Sequence, residues 1–337
     1  MQRNISVDII RGFAMLLVVL GHTISGITAN YEDSFMFQII WTLQMPLFIL
    51  ISGYVTRYSK PITSTSMLLE HLKKRSISYL LPWVIWTFII RGLILNQTNF
   101  FNLKYLFWNM DTGYWFLITI WTISVIYGCS DYLCNKFKSE NVSMKIFLHL
   151  LCFVIGMIIL LLVGLLAGYD FFCLKLTLYY IPFYFLGYMF GQLQDIIHSN
   201  KFMIKLQDII VIASLTVWTY FILRYNFYNS ETAITEILTR FTVSLCGCIA
   251  IIGLMTKISA SGIGKLFQWG GIYSLEIYLG HYLFLNIIPL TTQPQLMSLP
   301  GLAVVTINYA LTIILTYILI SLIKNNSILN YIVFAKK

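Results

Sequence analysis

Apolar runs of about 20 residues, the length an α-helix needs to cross a bilayer, recur along the whole chain. They fall near 6–28, 35–55, 76–95, 113–130, 146–168, 174–193, 207–225, 237–256, 271–290 and 301–323. The pattern predicts an all-α polytopic membrane protein of about ten transmembrane helices. Residues 1–337 read as a single membrane-embedded domain with no soluble domain, no fixed-period repeat and no low-complexity tract. Ser6 precedes the first run and reads as its N-cap. Pro46 inside the second run invites a kink, and Ser52-Gly53 permits close helix contact. Gly187 and Gly191, four apart in the sixth run, have the spacing of a packing face.

Charge adds an orientation. With the N-terminus placed inside, sixteen Lys and Arg residues fall in inner segments and four in outer ones. The inner set includes Arg3, Arg57, Lys60, Lys73, Lys74, Arg75, Lys136 and Lys138; the outer set is Arg91, Lys104, Lys175 and Arg224. The positive-inside rule then predicts that both termini are cytoplasmic. The net charge of +9 is therefore a topology signal and does not imply nucleic acid. Composition agrees, with 58% hydrophobic and 10% charged residues against about 25% charged in a soluble globule. The first run has an almost neutral leading segment and no A-x-A-like site, so an uncleaved helix is expected. The six cysteines show neither zinc nor disulfide spacing and read as small hydrophobes. No HExxH, Walker or GxGxxG motif occurs, so no metal is expected.

Candidate chemistry begins in the first helix, Asp8-Ile-Ile-Arg11 through Gly21-His22. Eleven residues separate Arg11 from His22, which is three turns plus about 20°, so both project from one face, roughly 16 Å apart along the axis. Ionisable groups inside a membrane are costly and usually face a protein interior or wet cavity. Asp8 can pair with Arg11. An interfacial ion pair and a core histidine would account for the same residues. Gln44 sits beside the Pro46 kink. The connection 56–75 ends in His71-Leu-Lys73-Lys74-Arg75, which reads as lipid anchoring or as a landing site for a phosphate-bearing cosubstrate. An outer loop, Asp111-Thr-Gly-Tyr114-Trp115, reads as an interfacial belt or a carbohydrate-stacking surface. Glu236 and Arg240 have the spacing of an ion pair at the outer edge. In the ninth helix Ser274, Tyr278 and His281 share a face, while Glu276 points elsewhere.

Taken together these motifs resemble the integral-membrane acyltransferases of type 3. Five stretches match in order: Asp8…Arg11-Gly…His22 with the family's Arg-x10-His spacing; Met45-Pro-Leu-Phe…Ser52-Gly-Tyr; Lys74-Arg75…Leu81-Pro82-Trp83; Trp115-Phe-Leu; and Ser274-Leu-Glu-Ile-Tyr278…His281. The runs Val-Val-Leu-Gly-His22 and Phe-Tyr-Phe-Leu-Gly187-Tyr look closest to the fucose 4-O-acetylase-like, sugar-modifying branch. The resemblance implies ten helices, a bacterial inner-membrane location, and transfer of an acyl group, usually acetyl, from cytoplasmic acyl-CoA to a hydroxyl of a surface polysaccharide or lipid-linked glycan. It implies His22 as the catalytic histidine, Arg11 assisting on the acyl-CoA side, and Lys73, Lys74 and Arg75 meeting the CoA phosphates. Asp8, Gln44, Ser274, Glu276, Tyr278 and His281 would form the supporting polar face, and Trp115 would stand on the acceptor side. Many members carry Arg-x-x-Arg at the start of the third helix; here Ser78 takes the second position. The soluble domain fused to some members is not expected.

Acyl transfer to a hydroxyl needs a base for the O–H proton or a nucleophile that carries the acyl group, and a neutral imidazole can do either. Two other classes fit the intramembrane Arg, His and Glu. One is a lipid-linked glycan transporter or flippase using them for proton coupling. The other is a sensor whose acyltransferase fold has lost its activity. No inverted repeat favours the transporter.

Overall fold

The computed structural model describes residues 4–110, 113–137, 141–228, 233–258, 262–288, 290 and 292–336. Arg3, Lys138 and Lys337 of the inner charge set, and Asp111 and Thr112 of the outer loop, lie outside these residues. The chain is helical: α1 Ile5–Ile27, α2 Phe35–Tyr54, α3 Thr65–Val84, α4 Leu103–Trp108, α5 Trp115–Lys136, α6 Val142–Ala167, α7 Leu174–Ser199, α8 Lys201–Ile222, α9 Ile234–Met255, α10 Gly262–Ile272, α11 Ser274–Gly280, α12 Leu299–Lys324 and α13 Ser327–Phe334. Among the described residues the only β pairing is an isolated bridge between Ala29 and Gln295. Nine helical segments there are long and apolar enough to cross a membrane.

The predicted spans meet these helices with three instructive differences. Asn4, not Ser6, caps α1, its side chain accepting from the Val7 amide. Residues 65–75 are not loop. They form the first turns of α3, which Ser64 caps by accepting from Met67 N. Pro82 has no amide hydrogen to give back along α3, and the helix passes beyond it into a π-helical stretch, Ile85–Ile94. The predicted span 271–290 is not one helix. α10 begins nine residues earlier, the helix is interrupted at Tyr273 (φ −104°, ψ 20°), and α11 gives way to a 3-10 turn, His281–Leu283.

The chain divides into two compact units: Met1–Ile51 with Asp195–Leu322, and Ser52–Gln194 with Ile323–Lys337. In the first, α1 is the buried centre and α10 lies closely along it. A Cβ on Gly12 would stand 1.6 Å from the Phe267 carbonyl oxygen, and one on Gly271 would stand 1.8 Å from that of Asp8. Ile24, Ile27, Phe37, Ile40, Leu296 and Val305 form a core at the far end of α1. Gln38 is saturated there: it donates to Glu32 O (2.5 Å) and Asn226 Oδ1 (3.1 Å) and accepts from Phe227 N (2.9 Å).

In the second unit α3 packs on α5, and α5 on α6. Gly53 lets the end of α2 lie against α7: its Cβ position is 1.9 Å from the Tyr184 carbonyl oxygen, which gives the Ser52-Gly53 pair its expected packing role. α13 closes against the π segment, with Trp86 Nε1 donating to Val333 O (3.0 Å). α6 instead turns Ile155, Ile158, Ile159, Leu162 and Leu166 outward, as a helix meeting acyl chains does.

A buried polar knot joins α5 to α6. Ser130 Oγ lies 2.7 Å from His149 Nδ1, and His149 Nε2 lies 3.7 Å from Asp131 Oδ1. Asp131 Oδ2 accepts from Ile62 N (2.7 Å), and Tyr188 packs on the imidazole at 4.3 Å. Replacing His149 with alanine removes these partners together and leaves a void. The expected cost is about 2–4 kcal/mol, read as a lowered thermal midpoint of the detergent-purified protein. An unchanged midpoint would show that the knot does not hold α5 to α6.

Candidate functional site

The predicted site residues fall into two groups, one in each unit. In the first, α1 supplies Asp8, Arg11 and His22, α2 supplies Gln44, and α11 with its 3-10 extension supplies Ser274, Glu276, Tyr278 and His281. Helical geometry sets Arg11 and His22 about 16 Å apart along α1. Both are half-buried. Asp8 (3% exposed) and Glu276 (1%) are enclosed by protein, as costly intramembrane carboxyls are expected to be. Gly21, with no side chain, leaves room for Gln44, whose Oε1 would stand 3.1 Å from a Cβ there. That oxygen is buried with no hydrogen-bond partner among the described residues.

His22 is the meeting point. Its Nε2 lies 3.0 Å from the Tyr282 hydroxyl, and its ring centroid lies 4.9 Å from that of Tyr282 and 5.4 Å from that of His281. His281 is fully buried, and its Nδ1 lies 2.8 Å from Ile277 O. A carbonyl only accepts, so Nδ1 carries the hydrogen and Nε2 keeps a lone pair. Tyr278 is also buried, its ring centroid 6.2 Å from that of His281, and Ser274 is half-buried one helical turn earlier.

Tyr282 belongs to this cluster and was not predicted from sequence. Continued as an α-helix, position 282 follows Tyr278 by four residues and lies about 40° from it, at the edge of the polar face. The chain instead tightens into a 3-10 turn at His281–Leu283, and Tyr282 comes to lie against both histidines. The sequence signal was present in the four-residue spacing from Tyr278, with Tyr282 beside a motif histidine.

The second group is not uniform. Lys73 and Lys74 are exposed, and Lys74 Nζ sits 2.6 Å from Glu70 Oε1. Arg75 is turned inward: it is half-buried, donates from Nη1 to the Tyr79 hydroxyl (3.4 Å), and has Tyr184 and Tyr127 nearby. A guanidinium held among phenol oxygens keeps donors that suit a phosphate fork. Trp115 opens α5 and stacks on Tyr180 at 5.6 Å and 19°. Arg240 lies over the Trp41 ring at 4.9 Å, while Glu236 accepts from Ala233 N at the start of α9.

A multi-pass helical protein with a half-buried histidine set against a tyrosine and a second, buried histidine has the groups that acid–base transfer requires. The chain belongs to the acyltransferase 3 family, whose model, described as "Acyltransferase domain", matches residues 4–321. It is similar to nodulation protein NolL of Sinorhizobium fredii, at 29% identity over 208 residues, covering 57% of this chain and 50% of that protein. It is also similar to nodulation protein NolL of Mesorhizobium japonicum, at 31% identity over 93 residues, 26% of this chain and 24% of that one. These matches span half or less of the length of the relatives. No solved structure matches.

Proposed function

We propose that the protein is a membrane O-acyltransferase that moves an acetyl or other acyl group from cytoplasmic acyl-CoA to a sugar hydroxyl of a surface polysaccharide or lipid-linked glycan. The observation that carries this is His22, an imidazole inside an apolar helix with one nitrogen engaged by Tyr282. Family membership supplies the reaction class, the resemblance carries the bacterial inner-membrane location, and the positive-inside count supports cytoplasmic termini.

In this reading His22 accepts the proton of the attacking hydroxyl. The sugar oxygen bonds to the thioester carbonyl carbon, the carbon–sulfur bond breaks, and the CoA thiolate leaves and takes up the proton from His22. Arg11 and Arg75 serve the CoA moiety. Mass spectrometry of surface polysaccharide, from cells with and without the gene, tests the proposal. One acetyl group per repeat, present only with the gene, is expected. Unchanged glycan, together with movement of an intact lipid-linked sugar, would replace it with the transporter.

The two kinds of cation separate in a membrane assay with varied acyl-CoA. Arg75→Ala is expected to raise the acyl-CoA KM tenfold or more, because a charge-assisted hydrogen bond contributes roughly 1.5–3 kcal/mol. Lys74→Ala is expected to leave KM within about twofold, since an exposed helix pair is worth roughly 0.3–0.5 kcal/mol. An unchanged KM for Arg75→Ala would reduce the basic run to a topology signal.

A further inference from the structure

We propose that Tyr282 is the positioning residue for His22. On this assignment Tyr282 orients the imidazole by holding Nε2 and leaves Nδ1 as the nitrogen that meets the acceptor hydroxyl. The inference rests on the reading of His22 as the base.

The geometry runs outward from the backbone. Ile277 O fixes the His281 ring through Nδ1 at 2.8 Å. His281, with no exposed surface, lies face to face with Tyr282 at 4.3 Å and 36°. Tyr282 then reaches across from the 3-10 turn to α1, its hydroxyl 3.0 Å from His22 Nε2. His22 and Tyr282 are both half-buried, beside the fully buried His281. On the reading of His22 as the base, the reacting group arrives at His22 and finds Nε2 already engaged.

A phenol can donate or accept. When the His22 hydrogen is on Nε2, the Tyr282 oxygen accepts it and Nδ1 presents its lone pair. After Nδ1 takes the acceptor's proton, the Nε2–H bond to Tyr282 persists and spreads the new positive charge. A neutral tyrosine thus holds the place that a carboxylate fills in a hydrolase triad, orienting the ring and accepting from Nε2 once the imidazole is protonated. No covalent step passes through Tyr282.

The test is Tyr282→Phe, which removes one oxygen and keeps the ring against both histidines. Membranes carrying the full-length protein would be assayed with labelled acetyl-CoA for transfer to endogenous glycan. The expected result is a kcat lower by about 10- to 100-fold, with acetyl-CoA KM and protein level within twofold of wild type, since general-base catalysis as a whole is worth about 10²–10⁴. A merely structural residue would lower protein level and thermal midpoint and leave kcat per folded molecule unchanged, and that outcome would overturn the assignment. Wild-type kcat would overturn it too. If the Phe variant does not accumulate, a ring-fluorinated tyrosine at 282 keeps the shape and the hydroxyl but makes the oxygen a poorer acceptor. A several-fold lower kcat at constant KM is then expected, and no change would count against the proposal. His22→Ala in the same series separates the layers. An inactive His22→Ala beside a fully active Tyr282→Phe defeats only this inference, whereas an active His22→Ala defeats the base reading on which it stands.

Discussion

His22→Ala is expected to remove acyl transfer, with glycan acetylation and acetyl-CoA turnover falling at least about 10³-fold, the range in which loss of a general base or nucleophile is felt. The same substitution should leave folding nearly intact. His22 is half-buried and its side chain gives up a hydrogen bond to Tyr282, so the stability loss is about 1 kcal/mol, against roughly 4 kcal/mol of barrier. That imbalance makes the variant diagnostic: the protein should reach the membrane in normal amount and melt within a few degrees of wild type. The KM for acetyl-CoA should hold, since an interaction made only in the transition state lowers kcat and kcat/KM together. His22→Gln keeps a polar side chain facing Tyr282 but offers no nitrogen able to take the proton, and should be as inactive as alanine. Measurement of CoA release and of glycan acetyl content in parallel checks both ends of the reaction. Full activity in either variant would sink the assignment of His22.

What could be read in the sequence depended on whether one helix carried the information. The pairing of Arg11 with His22 is a property of a single continuous helix, and α1 runs unbroken from Ile5 to Ile27; the periodicity therefore placed both groups on one face. The third span was shortened because residues 65–75 are polar and hydropathy cannot distinguish a polar helical turn from a loop; the cap from Ser64 decides it. The ninth span read as continuous because its apolar content is sufficient, but the close approach to α1 and the kink at Tyr273 are set by packing. Tyr282 follows Tyr278 by four residues, but its contact with both histidines is made in the 3-10 turn His281–Leu283. Lys73, Lys74 and Arg75 are equivalent in a charge count, and only the fold turns Arg75 inward while the lysines stay in solvent. His149 and Asp131 meet across two helices, at a separation no local pattern encodes.

The close approach also carries the largest structural effect. Gly271→Ala and Gly12→Ala are each expected to prevent accumulation of folded protein. A Cβ at 271 would lie 1.8 Å from Asp8 O and 2.6 Å from its carbonyl carbon; at 12 it would lie 1.6 Å from Phe267 O and 2.8 Å from Gly271 N. These obstacles are backbone atoms, so no rotamer change relieves them, and the helices must separate along their line of contact. Separation strips contacts from α1 along the side that carries the buried Asp8, Met15 and Leu16, and overpacking of this kind costs about 1–3 kcal/mol even where neighbours can shift. Two rigid helices shift less than side chains do, so the loss should exceed that range and exhaust a stability of about 5–15 kcal/mol once the core of this unit loosens. Gly262→Ala is the control: it lies at the start of the same α10, meets nothing within 4 Å, and should accumulate and function as wild type. Membrane-fraction abundance and the thermal midpoint in detergent read all three. Normal abundance of Gly271→Ala would mean that α1 and α10 lie farther apart than the structure has them. The contact matters for chemistry because α10 leads directly into α11 and its 3-10 turn, which carry His281 and Tyr282 to His22. Backbone contact at Gly12 and Gly271, beside the edge-to-face pair Phe13–Phe267, sets that register more tightly than side-chain packing alone could.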